Sequence, residues 1–401
     1  MKIALVTTEY VTELKGAGGL ANYLYRLALA LKEMGHEPYV FTYARADAQV
    51  EDAGIPVYRM KVKNYGVELL DYTTVKLWSK ALHIIYPAWK MSRLLRRVAR
   101  TEKFDIIQYA QLSALGLFPL KNIPAVVRIS SHTGLWKKHG GYAENWRQIK
   151  QQEALEMKAC QRADGVFGPS RFIAALFEKE LQRRVKIIET PFFSQHVQID
   201  PGLYQTHLAG KSYWLFFGTL SEHKGLKVIA AMLPDFLRKY PDFHFVLAGR
   251  EVDIAPGLGA MDYLRQQVGN EVLLQRVLYL GQIKHEQLFP IIQGAFGVTL
   301  PSLADNFPNA CLEAMAWGKV VIGTFGNGFD QLIEQGESGF LVEAGKASAL
   351  LEAMETVMLL PNAQKKAMEN AAQQRIELLR PAIKVKELIN YYLEIIAKHQ
   401  Q

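Results

Sequence analysis

Cysteine is scarce in this chain of 401 residues: there are two, Cys160 and Cys311, far apart. So wide a separation matches neither a disulfide framework nor metal-ligand spacing, and it suits a reducing cytoplasm. No run of about 18 or more apolar residues occurs, which excludes a bilayer-spanning helix. Met1 leads directly into KIALVTT, without a basic n-region or a long apolar h-region, so no signal peptide is expected. His-x-x-x-His pairs are absent as well, and with so few cysteines no metal site is expected. Zinc-finger spacing, an aromatic RNP-like strand and a helix-turn-helix signature are all missing, which sets nucleic acid aside as a partner.

What is present describes a globular chain. An apolar fraction of 49% with 21% charged residues allows a sizeable core, and the length fits two domains. The net charge of +8 is uneven: residues 1–200 hold 29 Lys+Arg against 19 Asp+Glu, while residues 201–401 hold 18 against 20. Most of the basic excess falls between Arg59 and Lys150. The stretch KLWSKALHIIYPAWKMSRLLRRVARTEKF sets Lys80, Lys90, Arg93, Arg96, Arg97 and Arg100 beside Trp78, Tyr86 and Trp89. Two readings stay open for it: the interface of an anionic bilayer, whose pattern Pro87 interrupts, or a solvated helix over a core, which gives the same composition.

Short β-rich runs alternate with helical patterns in both halves. Ile3–Thr7, Pro38–Tyr43, Phe104–Tyr109, Ala125–Ile129, Gly165–Gly168 and Val185–Ile188 read as strands of the first. Tyr213–Phe217, Phe243–Leu247, Val277–Leu280, Phe296–Leu300 and Lys319–Ile322 read as strands of the second. This alternation predicts parallel sheets covered by helices on both faces, an α/β chain of two doubly wound, Rossmann-like domains. Their ligands are expected in a cleft faced by the carboxyl ends of the strands. The predicted domains are 1–195 and 205–380, with the hinge in Ser194–Lys211 and a helix over 381–401 after the break at Pro381.

Three stretches carry candidate chemistry. In AFGVTLPSLADNFPNACLEAMAWGKVVIGTFGNGFDQLIEQGESGFL, Asp305 and Glu313 bracket a loop and the helix predicted from Asn309 to Trp317, whose free N–H groups favour oxygen ligands. A second helix is expected from Phe329. Glu313, flanked by Leu312, Ala314 and Met315, needs hydrogen-bond donors, and a ribose diol supplies two. In WLFFGTLSEHKGLKVIAAMLPDF, Gly218 ends a strand and Gly225 opens a helix, so Lys224 is placed to neutralise a diphosphate. Near the start, Gly16, Gly18 and Ala21 fit the dinucleotide fingerprint G-x-G-x-x-A. The eight residues Thr8–Lys15 that precede Gly16 argue against a nicotinamide or flavin enzyme, because that fingerprint closes a tight turn directly after its strand.

These stretches together resemble the retaining glycosyltransferase family four. The family's Glu-x7-Glu followed by Ala-Met-Ala is matched by Asp305, Glu313 and the run Ala314–Ala316, with Asp305 one methylene shorter than the family's first Glu. Its Gly-Arg-Leu-x-x-x-Lys-Gly is matched by Gly218, Lys224 and Gly225, with Thr219 in place of the Arg. The first glycine loop resembles the Lys-x-Gly-Gly-Leu-Ala form of glycogen synthases, and His132 matches a first-domain His beside the donor sugar. The resemblance implies the GT-B fold and transfer of a sugar from a UDP-, GDP- or ADP-sugar, with retention at the anomeric carbon. Neither metal nor cofactor is implied, the aspartate-x-aspartate motif of the other main glycosyltransferase fold being absent, and the leaving phosphate takes the acceptor's proton. It further implies a glycan or lipid-linked acceptor, in cell-surface polysaccharide or glycolipid synthesis, at the inner face of the membrane. The implied roles are Glu313 on the ribose, Lys224 and Thr219 at the diphosphate, and Gly18 and Gly19 beside the phosphates. Asp305, Asn306, Phe307 and Pro308 would meet the sugar, and His132 would lie beside it. A decayed nucleotide-sugar-binding protein, prompted by Thr219 and Asp305, and an epimerase of the same fold are the alternatives.

Overall fold

The computed structural model describes residues 1–13, 19–62, 79–135, 146–193 and 198–400. The chain divides into two compact units. The first comprises Met1–Gly134, Ala143–Phe193 and Arg380–Gln401, the second Leu135–Tyr142 and Ser194–Leu379.

In the first unit the strands are β1 (Lys2–Thr7), β2 (Glu37–Ala44), β3 (Ala48–Asp52), β4 (Ile55–Lys61), β5 (Ile106–Ala110), β6 (Ala125–Arg128), β7 (Gly165–Gly168) and β8 (Lys186–Ile187). They form one sheet in the order β3-β4-β2-β1-β5-β6-β7-β8, parallel except for the β3–β4 pair. The helices are α1 (Gly19–Glu33), α2 (Ser79–Val98), α3 (Trp146–Arg162) and α4 (Arg171–Leu181). Because β1 is buried on both faces, its apolar run alternates between two cores. Ala4 and Val6 pack with Met91 and Leu95 of α2 and Phe177 of α4. Ile3 and Leu5 pack with Leu27 and Leu31 of α1 and with Leu388 and Tyr392 of the terminal helix Pro381–His399.

That terminal helix is fastened to the first unit by polar contacts as well. Tyr392 Oη donates to Gln108 Oε1 at 2.6 Å, both groups being buried, and Lys384 pairs with Glu189 at 3.0 Å. Pro381 occupies its first turn, where a missing N–H costs nothing.

The second unit contains α5 (Gly202–His207), β9 (Ser212–Phe217), α6 (Leu226–Lys239), β10 (Phe243–Ala248), the small hairpin β11 (Asp253–Ala255) and β12 (Leu258–Gly259), α7 (Ala260–Val268), α8 (Glu271–Leu274) and β13 (Val277–Tyr279). After these come α9 (His285–Gly294), β14 (Gly297–Thr299), α10 (Asn309–Ala316), β15 (Val321–Thr324), β16 (Gly339–Val342), α11 (Ala347–Leu359) and α12 (Asn362–Glu377). Its main sheet runs β13-β10-β9-β14-β15-β16, all parallel.

Two expectations need correction, and two features were not anticipated. The helix expected from Phe329 is a single 3-10 turn, Gly328–Gln331. Polar side chains intercept its backbone: Asn327 Oδ1 accepts from Phe329 N, Ser338 Oγ from Glu334 N, and Gln335 Oε1 from Leu341 N, which hands the chain to β16. Pro87 does not break α2, which runs from Ser79 to Val98 with Pro87 inside it. Burial of Ala88, Met91 and Leu95 against the sheet offsets the lost backbone bond. The hinge region holds the helix α5, started by Asp200 Oδ1 accepting from Gly202 N. Strands β3, β4 and β16 were not anticipated; β3 is a half-exposed edge strand and β4 carries Pro56, both weak strand signals.

Replacing Tyr392 by Phe strands the buried Gln108 carbonyl without its donor. We expect a loss of roughly 1–3 kcal/mol in the stability of the first unit, measured by urea denaturation. Unchanged stability would mean that the terminal helix is held by its apolar face alone.

Candidate active site

In the second unit the loops that leave β9, β14 and β15 lock onto one another at the carboxyl ends of the strands. Gly225 has φ +86°, and a Cβ there would stand 2.0 Å from the Pro301 carbonyl oxygen, so only glycine lets the β9 loop lie against the end of β14. The contact continues as Leu303 N donates to His223 O at 2.8 Å. On the other side Gly328 N donates to Asp305 O at 2.9 Å, and a Cβ on Gly328 would overlap the Asn306 carbonyl. Thr324 Oγ1 donates to Ser302 O at 2.7 Å and in turn accepts from Asn327 Nδ2 at 2.9 Å.

This packing brings Lys224 and Asp305 together. Lys224 Nζ donates to Asp305 Oδ2 at 2.5 Å, Ser302 Oγ donates to the same oxygen at 3.3 Å, and Asn306 N donates to Oδ1 at 3.1 Å. The Asp305 side chain is 11% exposed and that of Lys224 29%, so the cation keeps a solvent-facing side while the carboxylate is enclosed. Asn306, Phe307 and Pro308 have buried side chains, leaving their backbone as the part that can meet a ligand. Thr219 is half-buried in the turn after β9, where its carbonyl oxygen accepts from Ser221 Oγ at 3.5 Å. Among the described residues no arginine stands at its position in that turn.

Glu313 projects from α10 and faces His285 Nε2 at 3.5 Å. It therefore has a partner at the start of α9, contrary to the poorly partnered carboxylate expected from its neighbours. His285 went unnoticed because nothing in its spacing ties it to Glu313; only the packing of α9 beside α10 does. Ser302 and Asn327 were missed for the same reason. Cys311, one turn before Met315 on α10, is fully buried, and burial pushes its thiol well above the usual range.

In the first unit His132 follows β6. Its Nδ1 lies 3.4 Å from Glu153 Oε1, its Nε2 3.8 Å from Glu180 Oε1, and its ring meets Phe177 edge to face at 5.8 Å. One turn beyond Glu153 on α3, the buried Glu156 fixes the same loop to the one after β5. It accepts from Gln111 Nε2 at 2.5 Å, Gln152 Nε2 at 2.8 Å, Thr133 Oγ1 at 2.9 Å and Ser113 N at 3.2 Å. Burial pushes the Glu156 carboxyl upward and these four donors draw it back. Ser113 and Ala114 have φ of 59° and 50°, left-handed values that non-glycine residues adopt only when held. Gly19 is exposed at the first position of α1, whereas Gly18 lies outside the described residues. The structure thus unites Lys224 with Asp305 and Glu313 with His285 in one unit, and surrounds His132 with carboxylates in the other.

Two units, each built on a largely parallel sheet between helices, have the architecture of the GT-B fold. The sequence matches "Glycosyltransferase Family 4" over residues 17–192 and "Glycosyl transferases group 1" over residues 205–374, and the protein belongs to the family four glycosyltransferases. An uncharacterized glycosyltransferase of Methanocaldococcus jannaschii is 23% identical over 98% of each chain. A GDP-mannose:cellobiosyl-diphosphopolyprenol alpha-mannosyltransferase of Xanthomonas campestris is 28% identical over 63% of each chain. An Anabaena protein solved with UDP and glucose has the same fold, with a TM-score of 0.69 at 20% identity over 98% of this chain and 99% of that one.

Gly225→Ala should displace the β9 loop from Pro301 and carry Lys224 away from Asp305. We expect a fall in transfer of about 10²-fold, the scale for losing one preorganised donor, in a protein that keeps its far-UV circular dichroism. Full activity in Gly225→Ala would show that the close approach is dispensable.

Proposed function

We propose that the protein moves a sugar from a nucleotide-sugar donor to a hydroxyl of a glycan or lipid-linked acceptor, with retention at the anomeric carbon. The observation that supports this most is the Lys224–Asp305 pair at the joined ends of β9 and β14, with Glu313 one helix further on. A half-exposed ammonium held by an enclosed carboxylate is a preorganised partner for a leaving diphosphate. Lys224 neutralises the diphosphate, Asp305 and the backbone of 306–308 meet the sugar hydroxyls, and Glu313 accepts from the ribose diol. The departing phosphate oxygen takes the acceptor's proton, so that no protein base is required. We place no metal and no cofactor in this reaction.

The Xanthomonas relative is named for a GDP-mannose donor and a polyprenol-linked acceptor, and the Anabaena neighbour was solved with UDP. GDP- and UDP-sugars are accordingly the first donors to try, and ADP-sugars the third. A lipid-linked acceptor places the enzyme at the inner face of a membrane, in glycolipid or cell-surface polysaccharide synthesis. Thr219, standing where the family has a second cation, favours a protein that binds donor with slow turnover. Lys224 and Glu313, both in place, favour catalysis.

A thermal-shift panel with UDP, GDP and ADP tests the donor reading. The cognate nucleotide at 100 times its Kd should stabilise the protein by roughly 2.7 kcal/mol. Glu313→Ala should weaken that nucleotide by about 1.5–3 kcal/mol, and Lys224→Ala should lower kcat on the order of 10²-fold. Stabilisation by none of the three, or undiminished binding and turnover in both variants, would remove the site from these loops.

A further inference from the structure

One face of α2 is left over by the fold. Its inner stripe, Ile84, Ala88, Met91 and Leu95, is buried against the sheet. Its outer stripe repeats at alternate steps of four and three residues through Leu82, Tyr86, Trp89, Arg93 and Arg96, one side of the helix, and Arg100 follows in the turn just beyond its end. This stripe is divided along its length. The first three side chains are large apolar groups exposed to 37%, 49% and 42%; the rest are exposed guanidinium groups, joined by Arg97. Arg93 lies over the Trp89 ring at 4.8 Å, at the junction of the two halves.

The helix itself contains no Asp or Glu. Nearby carboxylates are already committed, Glu13 to Arg59 at 2.5 Å and Asp47 to Lys90 at 3.6 Å. Among the described residues no carboxylate pairs with Arg93, Arg96, Arg97 or Arg100. A merely solvated helix face carries charges of both signs, and this one does not. Beside it a groove of about 1090 Å³ runs between α2 and the β3–β4 hairpin, with Tyr58 and Arg59 on one wall and Trp89, Arg93, Arg97 and Arg100 on the other.

We propose that this face and groove form the seat of an anionic phospholipid bilayer, with Leu82, Tyr86 and Trp89 entering the interfacial layer and the four arginines and the groove taking lipid phosphates. Aromatic rings favour the headgroup level, and each cation near an anionic leaflet adds attraction that fades within a Debye length. Among the described residues no helix is long and apolar enough to cross a membrane. Leu82, exposed beside the two rings, favours a bilayer over a nucleic acid, whose bases would stack on Tyr86 and Trp89 and leave it bare. The inference deepens the lipid-linked reading of the acceptor, yet vesicle binding requires no turnover, so each can fail without the other.

The test is co-sedimentation of the full chain with vesicles of phosphatidylglycerol and phosphatidylcholine, against phosphatidylcholine alone. The Arg93, Arg96, Arg97 and Arg100→Glu variant should partition on the order of 10²-fold more weakly, and Trp89→Ser with Tyr86→Ser should also weaken binding. The same charge change at the exposed Lys121, Lys179, Arg184 and Lys186 should weaken it far less, and both charge variants should keep nucleotide stabilisation and transfer to a soluble acceptor analogue. Strong salt should release the native protein. Equal loss in the two charge variants, binding indifferent to lipid charge, or binding to a single-stranded oligonucleotide through the α2 arginines without vesicle association would each overturn the proposal.

Discussion

The loops that leave β9, β14 and β15 at the carboxyl ends of the second sheet converge on one ion pair, Lys224 with Asp305. Neither residue could reach the other without two close backbone approaches, Gly225 on Pro301 and Gly328 on Asn306, which allow the loops after β9, β14 and β15 to interlock. The pair is asymmetric. Asp305 is enclosed and satisfied by Ser302 and the Asn306 amide, whereas the ammonium retains a solvent face. An anion arriving at that face gains a cation already in position, and the carboxylate keeps other donors when the ammonium turns to a new partner.

Much of this was legible in the sequence, because the signals are local. Short apolar runs separated by amphipathic helices predicted parallel sheets, and Gly218 and Gly225 marked the loop that carries Lys224; that Gly225 and Gly328 let two backbones meet is seen only in the fold. The α10 boundaries followed from Pro308 and from the apolar run Cys311–Met315. Contacts between elements distant in sequence were not legible. His285 against Glu313, Ser302 on Asp305, and the four donors on Glu156 exist only once the sheet has brought their helices and loops together. The false helix after Phe329 shows the converse: an apolar pattern suggested helix, and polar side chains from Asn327 to Ser338 bonded the backbone first.

The first unit is organised by the same principle with opposite electrostatics. Its strand-end loops after β5 and β6 are pinned by a buried carboxylate, Glu156, and His132 sits among Glu153 and Glu180. Its basic excess lies elsewhere, on α2 beside the β3–β4 edge. The sequence showed how many cations there were; the fold puts Arg93, Arg96, Arg97 and Arg100 on an exposed face, whereas Lys150 stays beside the histidine, 3.0 Å from Glu153.

Of the two departures from the family pattern, Asp305 is itself the partner of Lys224, and Thr219 leaves that lysine as the one cation of its motif. On the proposed reading, one cation in place of two leaves the pairing of Lys224 to set how readily a diphosphate is held, with Asp305 as its competitor. A double-mutant cycle of Lys224→Met and Asp305→Asn, read as nucleoside-diphosphate affinity by calorimetry, tests this directly. Lys224→Met should weaken binding by tenfold or more, about 1.4 kcal/mol; Asp305→Asn should tighten it, and should do little in the Lys224→Met background. Weakening by Asp305→Asn equal to that of Lys224→Met would contradict the account and make the pair a brace of the loops instead of a partner of the donor.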